Sequence, residues 1–149
     1  MSALPQTETL LLEQRRSVLF VTLNRPKARN AMSLAMLADL ESVFVAIEAR
    51  RDVRTVVLRG ADGNFCSGGD VKDMAGARMQ ARTPERDPIF EVNRAFGRVI
   101  ERVEAAPQVV VAVCEGSVLG GGFGLACVAD VTLADANAEF GLPLSLIHI

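Results

Sequence analysis

Short apolar runs alternate along this chain with stretches whose apolar side chains recur every three or four positions. Thr9 to Glu13 and Ser17 to Leu23 read as two strands joined at Gln14-Arg15-Arg16. In the second, Val18, Phe20 and Thr22 alternate with Leu19, Val21 and Leu23, so both faces are mostly apolar and the strand is expected to be buried. Asn24-Arg25-Pro26-Lys27 ends it, because Pro26 has no N–H for a ladder. Ser33 is placed to cap a helix with Leu37, Leu40, Phe44 and Ile47 on one stripe; Asp39, Glu41 and Glu48 fall off it. Thr55 to Arg59 is a third strand, ending at Gly60, and Val71 to Met79 begins a helix. Arg78 to Asp87, polar and followed by Pro88, reads as a mobile loop. A second amphipathic helix runs from about Ile89 to Glu104, with Val92, Phe96, Val99, Ile100 and Val103 inward, until Pro107 stops it. Val109 to Cys114 is a further buried strand. A helix through Leu125 and Ala126 then leads to Asp130, read as a structural carboxylate before a strand at Val131-Thr132-Leu133.

Strands alternating with helices imply an α/β fold with right-handed crossovers. Two glycine-dense turns punctuate it: Asn64-Phe65-Cys66-Ser67-Gly68-Gly69-Asp70 and Leu119-Gly120-Gly121-Gly122-Phe123-Gly124. Each follows an apolar strand and leads into a helix, and 53 positions separate Gly68 from Gly121. Glycine permits a sharp turn and close approach of a ligand to the backbone. Peptide N–H groups in the first turn of a helix lack intrahelical partners. Two such turns facing each other would aim two donors at one oxygen, the arrangement of an oxyanion hole. Close packing alone is the structural alternative. Phosphate binding is a weaker one: no GxxxxGK[ST] run occurs, and neither Gly120-x-Gly122 nor Gly122-x-Gly124 completes a dinucleotide fingerprint.

The remaining composition narrows the chemistry. The chain has 149 residues, half of them hydrophobic, and a net charge of -2. That suits one domain and offers no electrostatic footprint for nucleic acid. No apolar run is long enough to cross a bilayer, and Met1 to Gln6 lacks the regions of a signal peptide, so a soluble, cytoplasmic protein is expected. Cys66, Cys114 and Cys127 form no CxxC pair and read as small buried hydrophobes; no metal is indicated. The sole histidine, His148, sits next to the last residue, which disfavours Ser–His and Cys–His catalysis. Ser67 therefore offers its peptide N–H rather than its hydroxyl. Asp70 can brace the first turn, and Asp73, Glu91, Glu115 and Glu139 are the other carboxylates available as acid or base, though such a group is more often a solvated surface carboxylate. Arg25, Lys27 and Arg29 form a basic turn that can meet a phosphate.

Four segments, in order and spacing, resemble the crotonase, or enoyl-CoA hydratase/isomerase, family: Leu23 to Ala31, Gly63 to Met74, Val118 to Gly124, and Glu139-Phe140-Gly141-Leu142-Pro143. Gly60 to Arg78 with Gly122 to Cys127 is most similar to isohexenylglutaconyl-CoA hydratases of acyclic terpene degradation. The resemblance implies a spiral of β-β-α turns, cut before the C-terminal helices that build trimers or dimers of trimers. It implies an acyl-CoA substrate, with coenzyme A entering as part of that substrate and no separate cofactor. The peptide N–H groups of Ser67 and Gly121 would form the oxyanion hole. Gly68, Gly69, Asp70, Val71, Gly120, Gly124 and Pro143 would line the site, with Lys27 and Arg29 near the phosphates and Ala31 near the pantetheine.

Two departures qualify this. Hydratases of the family place two glutamates around the attacking water; the matching positions here are Gly124 and Leu144. The resemblance breaks at Leu144, so residues 144–149 read as an unrelated tail on a partial crotonase domain. Gly124 in place of a glutamate suggests room for a bulkier or carboxylated acyl chain. The expected reaction is hydration of a branched 2-enoyl-CoA, with this chain itself inactive. The alternative is a non-catalytic acyl-CoA-binding or assembly module.

Overall fold

The computed structural model describes residues 3–143. The expected tail, with Leu144 and His148, lies outside the described residues. An antiparallel hairpin comes first, β1 (Leu10–Arg15) with β2 (Val18–Leu23), Arg15 lying opposite Val18. The bend is at Arg16-Ser17 rather than Gln14-Arg15-Arg16, with Arg16 taking the left-handed conformation at φ 54°, so β1 runs further than its polar end suggests. β2 pairs in parallel with β3 (Thr55–Gly60), β3 with β4 (Val109–Cys114), and β4 with β6 (Val131–Ala134). The sheet order is β1-β2-β3-β4-β6.

Parallel strands need a cover on each face, which is why the central ones are almost wholly apolar. Leu19, Val21, Leu23, Val56, Leu58, Ala112 and Cys114 are completely buried. α1 (Leu34–Ile47) buries Met36, Leu40, Val43 and Ile47 in the same core, and each such aliphatic side chain contributes about 1.5–3 kcal/mol. Ser33 caps α1 as expected, its Oγ accepting from the Met36 N–H at 3.1 Å. α2 (Val71–Met79) is short and mostly exposed, with only Ala77 buried. α3 (Pro88–Glu104) starts on Asp87, whose carboxylate accepts from the N–H groups of Ile89 and Phe90; Pro88 fits there because the first helical turn needs no N–H from it. Val99 and Val103 anchor α3 in the core, while Val92, Phe96 and Ile100 are only half-buried.

A second, smaller set of pairings accompanies the large sheet. Met32 bridges Gly69, Cys66 bridges Val118, and β5 (Ser117–Leu119) pairs with β7 (Glu139–Gly141), all in parallel. Long strand, short crossing segment and helix thus repeat, as in β4, β5 and α4 (Gly121–Cys127), giving the spiral of β-β-α turns. β5 and β7 escape the sequence reading because three residues are too few to display alternation. β6 closes the large sheet with all four residues exposed, including Val131 and Leu133. Among the described residues, no helix is long and apolar enough to cross a membrane.

Candidate active site

The first glycine turn follows β3, and the second follows β5, the short strand after β4. The two are joined by backbone hydrogen bonds. The Cys66 N–H donates to Ser117 O and the Leu119 N–H to Cys66 O, each at 2.9 Å. Phe65 and Cys66, both completely buried, hold this run against the core. Gly68 adopts φ 106° and Gly120 φ 52°, and a Cβ on Gly120 would lie 3.5 Å from the Gly68 Cα. The turns are therefore in van der Waals contact, and the positive φ at both positions is what favours glycine there.

A third segment, residues 24–31, packs on the first turn. Pro26–Ala28 form one 3-10 turn, followed by Arg29 and Asn30 in succession at φ 47° and 55°. Asn30 is completely buried. Its Oδ1 accepts from the Arg25 N–H at 2.9 Å, and its Nδ2 donates to the carbonyls of Ala61 and Asn64 at 2.9 and 2.6 Å. Met32 then forms the bridge: its N–H donates to Gly68 O at 2.8 Å, and its carbonyl accepts from the Asp70 N–H at 2.9 Å. Its Cε reaches the second turn, 3.3 Å from where a Cβ on Gly121 would stand.

The two expected amide donors differ. Among the described residues, no hydrogen bond engages the Gly121 N–H. The Ser67 N–H, by contrast, already donates to the Arg29 carbonyl at 3.1 Å, and Ser67 Oγ donates to Ala28 O at 3.2 Å. Ser67 is thus not a spare donor: the left-handed pair Arg29-Asn30 turns the Arg29 carbonyl onto it. An acyl oxygen at this amide would share or displace that bond.

Asp70 is nearly buried and fully employed. Its Oδ2 pairs with Arg25 at 2.8 Å, and its Oδ1 accepts from the N–H groups of Lys72 and Asp73 as the cap of α2. Burial pushes the carboxyl pKa up, but the Arg25 guanidinium and the two N–H groups outweigh it and hold the pKa below the usual aspartate value. A folded pKa below the unfolded one means that stability is complete above the ordinary value of about 3.9 and is lost as pH falls through the lower folded value. Asp70→Asn should therefore lower stability at neutral pH, and the gap to the parent chain should shrink below about pH 4. Urea unfolding of both proteins across that range checks this; a gap independent of pH contradicts it.

Of the expected basic turn, Lys27 and Arg29 are exposed, but Arg25 is committed to Asp70 and, through Nη1, to the Ala31 carbonyl at 2.5 Å. Ala31 is buried, and Val71 stands out from the start of α2 at 74% exposure. Gly69 is exposed, and Gly120 donates its N–H to Gly141 O at 2.9 Å, which brings the segment ending in Pro143 to the second turn. Two of the carboxylates considered as acid or base have other work: Asp73 accepts from the Leu34 N–H at 2.7 Å, and Glu91 pairs with Arg86; Glu115 and Glu139 are exposed. Cys66 and Cys114 are buried as expected, and burial pushes each thiol up to about 11, so neither is a nucleophile at neutral pH. Cys127 is exposed, contrary to the reading of all three as buried hydrophobes; it is the last residue of α4 and faces away from the core.

The space at Gly124 is also not vacant. Phe96 of α3 lies over it, with Cζ 3.2 Å and Ile100 Cδ1 4.0 Å from the position of a Cβ on Gly124. The same ring stands 3.2 Å from a Cβ on Gly121. The room inferred from the missing glutamate is therefore taken by an aromatic side chain from a neighbouring helix. The helical stripe marks Phe96 as inward-facing, but nothing in the sequence tells which glycines it meets. A hollow of about 540 Å³ lies elsewhere, at the N-terminal ends of β3 and β4 between Glu48–Arg54 and Pro107–Val109, and none of the expected site residues lines it.

Comparison with known proteins agrees with this fold. The family model for enoyl-CoA hydratase/isomerase matches residues 13–149. An enoyl-CoA hydratase/isomerase from Marinobacter aquaeolei superposes with a TM-score of 0.90 at 51% identity, over 95% of this chain and 54% of that one. Pseudomonas aeruginosa AtuE gives 0.89 at 57% identity, over 95% and 54%. The short-chain-enoyl-CoA hydratase of Clostridium acetobutylicum is 34% identical over 143 residues, which are 93% of this chain and 51% of that protein. The chain spans about half the length of the relatives it matches. It belongs to the enoyl-CoA hydratase/isomerase family.

Proposed function

We propose that this chain binds an acyl-CoA thioester between its two glycine turns, and that the reaction served is hydration of a branched 2-enoyl-CoA through an enolate-like state. The observation that carries this is the parallel pairing of Cys66 with Val118, which sets Gly68 against Gly120 and so brings the two turns together. In this reading the Gly121 N–H is the open donor, and the Ser67 N–H is taken over from Arg29. One such donor is worth about 3 kcal/mol to a developing oxyanion. Lys27 and Arg29 meet the phosphates, Ala31 lies by the pantetheine, and Gly68, Gly69, Asp70 and Val71 line the channel. Asp70 acts there as a fixed wall, since its carboxylate is already satisfied. Coenzyme A comes with the substrate and no separate cofactor is invoked. A cytoplasmic trimer or dimer of trimers is the assembly that the family resemblance suggests.

Gly124 favours a second reading, a non-catalytic acyl-CoA-binding module, because it places no carboxylate where the family's hydratases hold one. Calorimetric titration with crotonyl-CoA, run beside a hydration assay on the same 149-residue chain, decides between them. Binding with negligible turnover is the expected result and supports the module reading for this chain. Enzyme-like turnover would overturn the expected inactivity, and absence of binding would overturn the site.

A further inference from the structure

We propose that Phe96 sets the width of the acyl site. The proposal rests on the acyl-CoA reading above and adds the residue that meets the acyl group. Gly121 and Gly124 lie three residues apart on one face of α4, and neither has the positive φ that demands glycine on backbone grounds. What a side chain would meet at both is the same object: the Phe96 ring, with Cε2 3.2 Å from a Cβ at Gly121 and Cζ 3.2 Å from a Cβ at Gly124. The two glycines are there to admit the ring. Phe96 is half-buried, and its ring stands next to Gly121, whose N–H has no hydrogen bond among the described residues. Its position is set by a helix rather than a loop, because Val99 and Val103 root α3 in the core and Asp87 caps it. Met32 Cε and Ile100 Cδ1 complete an apolar wall around the two glycines. An acyl group whose carbonyl reaches Gly121 would lay its first carbons against this wall. Branching at those carbons would press on the ring.

The test is the ratio of affinities for 3-methylcrotonyl-CoA and crotonyl-CoA, with free coenzyme A as the reference, measured by calorimetry on the 149-residue chain. Phe96→Ala should shift the ratio toward the branched ligand by about fivefold or more, a scale set by one methyl group in an apolar pocket. Free coenzyme A should bind within about twofold of the parent chain, since its contacts are elsewhere. Phe96→Leu should fall between. Gly124→Ala pushes a methyl against Cζ and should move the ratio the opposite way. If Phe96→Ala fails to fold, the Phe96→Leu and Gly124→Ala pair still reads the sign. An unchanged ratio, or a parallel loss for all three ligands, assigns Phe96 to packing alone and overturns the proposal. Failure of the parent chain to bind any thioester overturns the acyl-CoA reading beneath it.

Discussion

Asn30→Ala should destabilise the fold by about 4 kcal/mol, a large part of the 5–15 kcal/mol typical of a whole domain. Three partners lose their hydrogen bonds at once: the Arg25 N–H and the carbonyls of Ala61 and Asn64. Asn30 is completely buried, so water does not simply replace the amide. A buried unpaired backbone group costs about 1–3 kcal/mol. The φ of 55° adds a further penalty of about 1 kcal/mol for alanine, because asparagine tolerates the left-handed region and alanine does not. Asn30→Gly removes that backbone penalty but not the lost bonds, so it should recover about 1 kcal/mol only. Asn30→Asp keeps the acceptor for Arg25 but turns an oxygen toward two carbonyls, and should rescue nothing. Denaturant unfolding of the series separates the two causes. If alanine and the parent chain unfold at the same midpoint, the clamp is not holding the 24–31 segment. The consequence reaches the site, because that segment carries the Arg29 and Ala28 carbonyls bonded to Ser67.

Much of the scaffold was legible because its physics is local. Buried parallel strands advertise themselves as unbroken apolar runs, as in Val109 to Cys114. Helix starts announce themselves through oxygen-bearing caps, as at Ser33 and Asp70. Asp130 was readable as structural and does accept from the Val110 N–H at 2.7 Å. Asp39 misled: it falls off the helix stripe, yet its Oδ2 fastens the N–H groups of Glu8 and Thr9 and the Thr9 hydroxyl, thirty residues away. Such long-range bonds leave no periodic trace.

The site was legible in its glycines and not in what surrounds them. Two dense turns after strands point to a shared backbone feature, and they do touch. Which amide is open depends on a carbonyl 38 residues upstream of Ser67, set by two consecutive left-handed residues. Asn30 carried a signal for this, since asparagine after a basic turn suits the left-handed region. Arg25 did not, because a surface arginine and one paired with a capping aspartate look alike in sequence. Phe96 is the clearest case. Helical periodicity turns it inward, but only tertiary packing puts it on Gly121 and Gly124.

Gly122→Ala is expected to cost about 3 kcal/mol or more, by overpacking against a Cβ and a backbone carbonyl that cannot yield. The added Cβ would stand 2.6 Å from both Cys66 Cβ and Cys66 O, and 3.0 Å from Sγ. The sulfur can rotate away, but the other two atoms cannot, since Cys66 is held by hydrogen bonds to Ser117 and Leu119 on either side. Cys66→Ala would not relieve the clash, because the Cβ and the carbonyl remain. The strain must push α4 away from the run 65–68 and part the two glycine turns, so acyl-CoA affinity should fall together with stability. Gly76→Ala is the matched control. It makes the same substitution in exposed α2, with nothing within 4 Å of the new methyl, and should stabilise by about 0.5–1 kcal/mol through helix propensity. Opposite signs for the two variants in urea unfolding are the expected result. A Gly122→Ala protein as stable as the parent chain would mean that the turns are not packed against each other, and with that the shared acyl site would be lost.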